Sequence, residues 1–209
     1  MNTIRKTVLG LALFAIGNAN AEVITADVNA LGLNNLGSPN SVSWNFSAPG
    51  GNALLKFGLV GYNSLDGWGF FYTDIFSLSV NGNTAFKGSF NLGGGGSDTI
   101  LYNPNNATAI AMSNGFWLGG VADISLPISL QANGNQTITF IYDSPTFLSE
   151  LGYLAGPQGV SDESWGVSWA NVNTDPVPEP EEWAMMFIGV GMVAYQIKRK
   201  QRQANRQLI

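Results

Sequence analysis

The stretch IFSLSVNGNTAFKGSF, Ile75–Phe90, decides the fold class. Apolar and polar residues alternate on both sides of Asn81-Gly82, and this dipeptide favours a two-residue turn because both positions tolerate positive φ. The pattern therefore predicts a β-hairpin with strands over 75–80 and 84–90.

Other short segments alternate in the same way, and none shows a long helical period. They are 41–47, 123–130, 136–142 and 164–172. Pro127 lies inside the second of these and indicates a sheet edge or a bulge, because proline cannot donate to a ladder. About eight strands at this spacing predict an all-β fold, an antiparallel two-sheet sandwich that is jelly-roll-like. Gly93–Gly96 is interpreted as a flexible loop, since no Lys-Ser/Thr follows to make a phosphate loop.

Composition excludes several classes of function. The chain has no Cys and no His, which removes thiolate and zinc sites and the usual general base. Between Glu22 and Val177 there are two lysines and eleven acids, a net charge of −9. A basic patch cannot be assembled there, so nucleic acid is excluded as a partner, while divalent cations and neutral sugars remain open.

Residues 1–21 have the pattern of a signal peptide. Arg5 and Lys6 precede an apolar run over 8–16, and Ala19 and Ala21 form a small-x-small cleavage site. The alternative, an amphipathic helix, lacks a 3.6-residue period. We expect a signal helix, export through the inner membrane, and a mature chain that begins at Glu22.

A second apolar run, over 183–197, precedes a basic tail. As a helix it would be roughly 22 Å long, shorter than the roughly 30 Å hydrocarbon core. The Lys/Arg residues over 198–206 nevertheless favour a marginal transmembrane helix with a cytoplasmic tail. The predicted organisation is a sandwich over 22–173, a Pro-rich and acidic linker over 174–182, and a hydrophobic helix with a basic tail over 183–209.

The end of the chain resembles a PEP-CTERM sorting signal. The resemblance rests on Pro178, Glu179, Pro180 and Trp183, followed by the apolar run and the basic cluster. It implies an exopolysaccharide-producing Gram-negative bacterium. It also implies an exosortase-type membrane protease as partner, a transient stay in the inner membrane, and release to the cell surface or extracellular matrix. Glu181-Glu182 and the long basic tail depart from the usual pattern. Phrases around Asp66–Gly69 and Asp162–Gly166 loosely resemble exported β-sandwich domains of such proteins.

Four acids suggest a calcium site at one end of the sandwich. They are Asp66, Asp74, Asp162 and Glu163. Calcium takes six to eight oxygen ligands, and Gly/Asn-rich loops supply carbonyls beside the carboxylates. The alternative is that these are solvated loop acids or turn caps, because the chain has no DxDxDG-type loop.

Tryptophan raises a similar choice between a sugar platform and a core residue. Five Trp lie in the predicted sandwich, and we expect about three of them to be buried. Trp68 is flanked by glycines and is the candidate platform on which a sugar ring would stack.

The sequence thus indicates a noncatalytic, exported surface or exopolysaccharide-matrix protein with carbohydrate or calcium binding. One alternative is a polysaccharide-active hydrolase using paired carboxylates from 66–74 and 162–163. Against it, Asp162 and Glu163 should point to opposite faces of a strand. A further alternative is a calcium-dependent adhesion module without sugar specificity.

Overall fold

Residues Ala21–Asp175 of the computed structural model form one compact unit built from two antiparallel sheets. The structure describes residues 21–70, 72–132, 134–144, 160–175 and 180–206. One five-stranded sheet has the order β1-β10-β3-β8-β7 and the other the order β2-β9-β4-β5-β6. The strands are β1 (Val23–Thr25), β2 (Asn40–Ser47), β3 (Gly51–Gly61), β4 (Ile75–Val80), β5 (Asn83–Ser89), β6 (Thr99–Tyr102), β7 (Thr108–Ser113), β8 (Gly120–Leu130), β9 (Asn135–Asp143) and β10 (Trp165–Thr174).

The predicted hairpin is confirmed as β4 and β5. Asn81 and Gly82 join the strands with φ values of 51° and 82°, the positive pair that a type I′ turn requires. Asn81 also ties the turn to β9. Its backbone N–H donates to the Thr137 carbonyl, and its Oδ1 accepts from the Thr137 N–H, both at 2.8 Å.

The two sheets pack face to face around an aromatic core, which confirms the antiparallel two-sheet prediction. Phe57 on β3 lies 5.5 Å from Phe76 on β4 and 5.4 Å from Phe140 on β9, measured between ring centroids. All three side chains are essentially unexposed. The alternation that marks each strand in the sequence therefore separates a core face from an outer face.

The Pro127 prediction also holds, because β8 has a neighbour on only one side at that point. Pro127 faces Leu54 of β3, while the pairing of β7 with β8 ends at Ser125. The expected count of about eight strands was too low, since the described residues hold ten, and β1, β3, β6 and β7 were not recognised. The longest of these is β3. This strand contributes buried Leu55, Phe57 and Leu59. Its segment ALLKFGLV is almost continuously apolar, a pattern that does not separate a buried strand from a helix.

Helix α1 (Pro180–Arg206) covers the apolar run and the whole basic cluster. No helix in the ranges described above has both the length and the hydropathy of a membrane span. Ala19, Pro178 and Glu179 lie outside the described residues. Pro180 and Trp183 lie in α1, but their side chains are not among those described.

Candidate functional site

Four connecting segments meet at one end of the sandwich and enclose a cavity of about 140 Å³, here called the acidic pocket. The segments follow β3, β5 and β7 and precede β10. Three carboxyl side chains and four aromatic rings line it, together with Ser64 and Gly94. The carboxyls are Asp66, Asp162 and Glu163, and the rings are Phe70, Tyr72, Phe116 and Trp117.

The glycine segment 93–96 forms one wall by close backbone approach. Leu65 and Leu92 exchange backbone hydrogen bonds, and the Gly67 N–H donates to the Gly95 carbonyl at 2.7 Å. A Cβ on Gly94 would collide with Oδ1 of Asp66. The interpretation of this segment as a flexible loop was therefore wrong, since glycine serves here for tight packing against the 65–67 backbone.

Two aromatic side chains project from the loop between β7 and β8. Phe116 is 67% exposed and Trp117 is 49% exposed, and their rings meet edge to face at 5.7 Å. Trp117 has φ 63°, which a bulky residue rarely adopts and which costs about 1–3 kcal/mol. The backbone N–H of Trp117 donates to the Gly93 carbonyl at 2.7 Å, and the backbone N–H of Gly119 donates to the Asn63 carbonyl at 2.7 Å. The surrounding backbone thus holds the two rings in solvent beside the pocket.

The structure brings Asp66, Asp74 and Glu163 into one hydrogen-bonded cluster. The Asp66 N–H donates to Oδ2 of Asp74 at 2.7 Å, and Oδ1 of Asp66 accepts from the Gly95 N–H at 2.6 Å. The Ser144 hydroxyl donates to Asp74 and also lies 3.3 Å from Oε2 of Glu163. Asp74 and Glu163 are each 1% exposed.

Burial determines the charge state of this cluster. Loss of solvation, and then the nearby charge of Asp74, raise the pKa of Glu163 to about 10. Burial also raises the pKa of Asp74 to about 6, although its hydrogen bonds from Ser144 and Asp66 oppose that change. The pKa of Asp66 is raised mainly by burial. At neutral pH Glu163 therefore keeps its proton and shares it with an ionised Asp74.

Tyr142 lies behind the carboxyl pair. It is 2% exposed, and its ring stacks on Trp165 at 5.4 Å. Burial first, and then the charge of Asp74, raise the pKa of the Tyr142 hydroxyl well above its ordinary value. The hydroxyl faces Asp74 without the geometry of a hydrogen bond, and it has no other partner in this structure. A buried hydroxyl in this state is rare, because burial without a partner is unfavourable.

The predicted calcium site is not supported by the arrangement of these acids. Within the described part of the chain, no group of three acidic side chains could hold a metal ion. Calcium binding therefore stays a prediction made from the sequence.

Two details of the predicted site need correction. Asp162 and Glu163 were expected on opposite strand faces, yet both line the pocket, because they precede β10 in a turn where strand alternation does not apply. Trp68 is 37% exposed but does not line the pocket, and Trp117 is the more exposed residue. Of the five Trp considered, Trp44 and Trp165 are buried, one fewer than expected.

Sequence reasoning missed Phe116 as a site residue and did not single out Trp117 from the five tryptophans that could stack on a sugar. A signal was present, since Phe116-Trp117-Leu118 is an apolar triplet between Asn114-Gly115 and Gly119-Gly120. Turn residues on both sides of an apolar triplet indicate a loop tip, where these side chains are exposed.

A larger cavity of about 410 Å³ lies near the other end of β4, beside the hairpin turn. Its lining includes Asn81, Thr84, Ile128 and Gln131, and contains neither a charged nor an aromatic side chain. Since it offers no ionisable group and no flat ring, the acidic pocket is the stronger candidate for binding.

Comparison with known proteins does not assign the chain to a family. No family model matches it, and no curated protein matches it. Among solved structures, a CBM35 from Cellvibrio japonicus Abf62 aligns at 13% identity over 69% of this chain and 70% of that one, with a TM-score of 0.34. The dimeric latent PorU from Porphyromonas gingivalis aligns at 13% identity and a TM-score of 0.39 over 74% of this chain, which spans 12% of that protein. Alignments at this level assign neither family nor function.

Proposed function

We propose that this protein is a noncatalytic, exported surface or matrix protein whose sandwich binds carbohydrate at the acidic pocket. The observation that carries the proposal is the position of Phe116 and Trp117, held in solvent beside a pocket lined with carboxyls. Flat aromatic faces offer apolar area to sugar rings, and carboxyl oxygens accept hydrogen bonds from hydroxyl groups. Loops placed on a rigid sandwich are a common location for such sites.

The strand order supports the finer description of the fold as jelly-roll-like. The chain passes repeatedly from one sheet to the other, for example from β2 to β3 and from β8 to β9. Connections of this kind place loops from both sheets at each end of a sandwich. The acidic pocket agrees with that description, because two of its four walls, the β3–β4 and β9–β10 connections, pass from one sheet to the other.

A matched pair of tryptophan variants tests the carbohydrate proposal. We expect glycan-array binding by the purified full-length protein, with an affinity for the bound glycan that falls at least about tenfold in Trp117→Ala. Trp169→Ala is the control, because Trp169 is 39% exposed on β10 and does not line the pocket. Absence of glycan binding, or equal affinity in Trp117→Ala and the unaltered protein, would contradict the proposal.

Sorting of the protein is proposed on the terminal sequence patterns. The chain would be exported by its signal peptide and held transiently in the inner membrane. An exosortase-type protease would then cleave it near Pro178–Pro180 and release it to the surface or matrix. Mass spectrometry of the extracellular protein reads both ends, and we expect Glu22 at the N-terminus. If Glu179→Ala or deletion of 183–209 left the mature mass and location unchanged, this proposal would be wrong.

The hydrolase alternative rests on the raised pKa values of Asp74 and Glu163, since such shifts are common in active sites. Glycosidases hold two carboxyls about 5–9.5 Å apart across a substrate, whereas this pair is bridged by one Ser144 hydroxyl. Release of reducing ends from matrix polysaccharide, abolished by Asp74→Asn, would favour the alternative. The calcium-dependent adhesion module is tested by melting curves with calcium and with chelator. Equal melting temperatures in the two conditions would contradict it.

A further inference from the structure

We propose that the acidic pocket selects a protonated amine, presented by a de-N-acetylated hexosamine unit of a polysaccharide. This inference rests on the proposed carbohydrate binding and narrows its ligand class from sugars in general to cationic sugars.

Charge complementarity is the first argument. Asp66, Asp162 and Glu163 line the pocket, and none of them has a basic partner among the described residues. The sandwich has only two lysines, which lie on strands away from the pocket, Lys56 on β3 and Lys87 on β5. A bound ammonium group would compensate the negative charge of the ionised acids and favour ionisation of Glu163, which otherwise keeps its proton, whereas a uronic acid or phosphate would be repelled.

The aromatic walls are the second argument. Phe70, Tyr72 and Trp117 enclose the same cavity as the carboxyls. A cation within about 6 Å of an aromatic face is attracted by the ring quadrupole, and tryptophan is the best partner. Acids and aromatic rings around one cavity favour a cationic group over a neutral hydroxyl.

Cavity size indicates how such a ligand would lie. Sites that enclose a whole drug-sized molecule measure about 300–1,000 Å³, and the acidic pocket measures about 140 Å³. It holds one substituent and not a chain segment. The rest of the polymer would then lie outside, over the exposed Phe116 and Trp117.

The unpartnered Tyr142 hydroxyl is an independent observation on the same cluster. It is buried, faces Asp74, and has no hydrogen-bond partner in this structure. A bound cation favours the ionised form of Asp74 and Glu163 together, and an ionised carboxylate is a stronger acceptor for a hydroxyl that faces it than a protonated carboxyl is. The polar groups around the pair are thus better satisfied when a positive charge is present.

Two oligosaccharides with the same backbone test the inference. Calorimetric titration of the full-length protein would compare chitosan oligomers with fully N-acetylated chitin oligomers of equal length. The titration is repeated from mildly acidic to neutral pH, because acid charges the amine while burial raises the pKa of Asp66 and Asp74. We expect at least about tenfold tighter binding of the chitosan oligomers, and a preference that declines as salt screens the charges.

Asp162→Asn is the variant that probes charge selection. Asp162 is half-buried, and its backbone carbonyl, not its carboxyl, accepts the hydrogen bonds from Ser64, so the amide should leave the fold intact. We expect it to lose most of the preference for the amine. Asp123→Asn, at an exposed position on β8, removes the same charge elsewhere and should keep the preference. Melting curves of both variants show whether each is folded.

The outcomes separate this inference from the proposed function. Equal affinity for the two oligomers, or an unchanged preference in Asp162→Asn, overturns the inference. If that binding still depends on Trp117, carbohydrate binding stands. If neither oligomer binds but another glycan does, the inference alone is overturned. If no glycan binds, both proposals are wrong.

Discussion

Replacing Glu163 by glutamine should stabilise the protein at neutral pH. Burial, with the nearby charge of Asp74, raises the pKa of Glu163 from 4.5 to about 10. In the unfolded chain the same carboxyl is ionised at neutral pH, so folding requires uptake of a proton. Because the folded pKa lies above the unfolded value, stability from this group is complete below pH 4.5 and is lost as the pH rises toward 10.

The expected magnitude follows from those two values. Neutral pH lies about 2.5 units above the unfolded pKa, and each unit corresponds to about 1.4 kcal/mol, so the unfavourable term is about 3 kcal/mol. Glutamine has almost the same shape, stays neutral at every pH, and can still donate to Asp74. Glu163→Gln should therefore raise the free energy of unfolding by about 3 kcal/mol, or the melting temperature by roughly 6–12 °C.

Urea denaturation across a series of pH values is the assay, with Asp123→Asn as a control. Asp123 is exposed on β8, so its removal tests for a general effect of charge. The unfolding curves of Glu163→Gln and the unaltered protein should converge in acid and diverge as the pH rises. A glutamine variant that is less stable at neutral pH, or whose stability follows pH as steeply as before, would refute this account of the pair.

Three other predictions, one of them with a matched control, concern the packing of the sandwich. Gly93→Ala should destabilise the protein by more than about 2 kcal/mol, because Gly93 has φ 97° and a Cβ there would collide with the backbone of Gly119. Gly69→Ala is the control, because Gly69 has φ 84° but an added Cβ there would meet no other atom, so this variant should lose less stability. Similar melting temperatures for the two variants would contradict the collision argument. Gln136→Leu should lower the free energy of unfolding by about 1–3 kcal/mol for each polar group left unpaired. The buried Gln136 amide accepts from Asn81 at 2.9 Å and donates to Gln131 at 2.7 Å. An unchanged free energy of unfolding in urea would show that water replaces these hydrogen bonds. Phe57→Ala should cost about 3–5 kcal/mol, and a smaller loss in the same assay would mean that the two sheets collapse onto the cavity.

The sequence was informative where a pattern is local. Alternation around Asn81-Gly82 is sufficient for a hairpin, because strand faces and turn geometry depend on neighbouring residues. By the same logic, β3 could not be recognised, since its nearly continuous apolar run lacks the alternation that marks a strand. The signal peptide and the sorting signal were also inferred from short ordered motifs within the sequence, and both remain predictions.

The candidate site shows the limit of local patterns. Loop acids could be expected to gather at one end of a sandwich, but their burial and shared proton depend on segments far apart in the chain. Ser144 and Glu163, for example, lie at opposite ends of the connection between β9 and β10, and both interact with Asp74, which directly precedes β4. The flanking turn residues indicate that Trp117 lies at a loop tip, but only the structure shows that its backbone is bound to Gly93 in a neighbouring loop, which places it beside the acids.

The sequence by itself determined the all-β class, the hairpin, the acidic and His-free character of the sandwich, and the predicted address carried by the termini. These properties depend on composition or on residues close together in the chain. Only the tertiary structure decided which acids are buried, that Trp117 is exposed, and that the acids and Trp117 line the same pocket. Desolvation and shape are properties of segments brought together from distant parts of the chain, and no short stretch of sequence contains them.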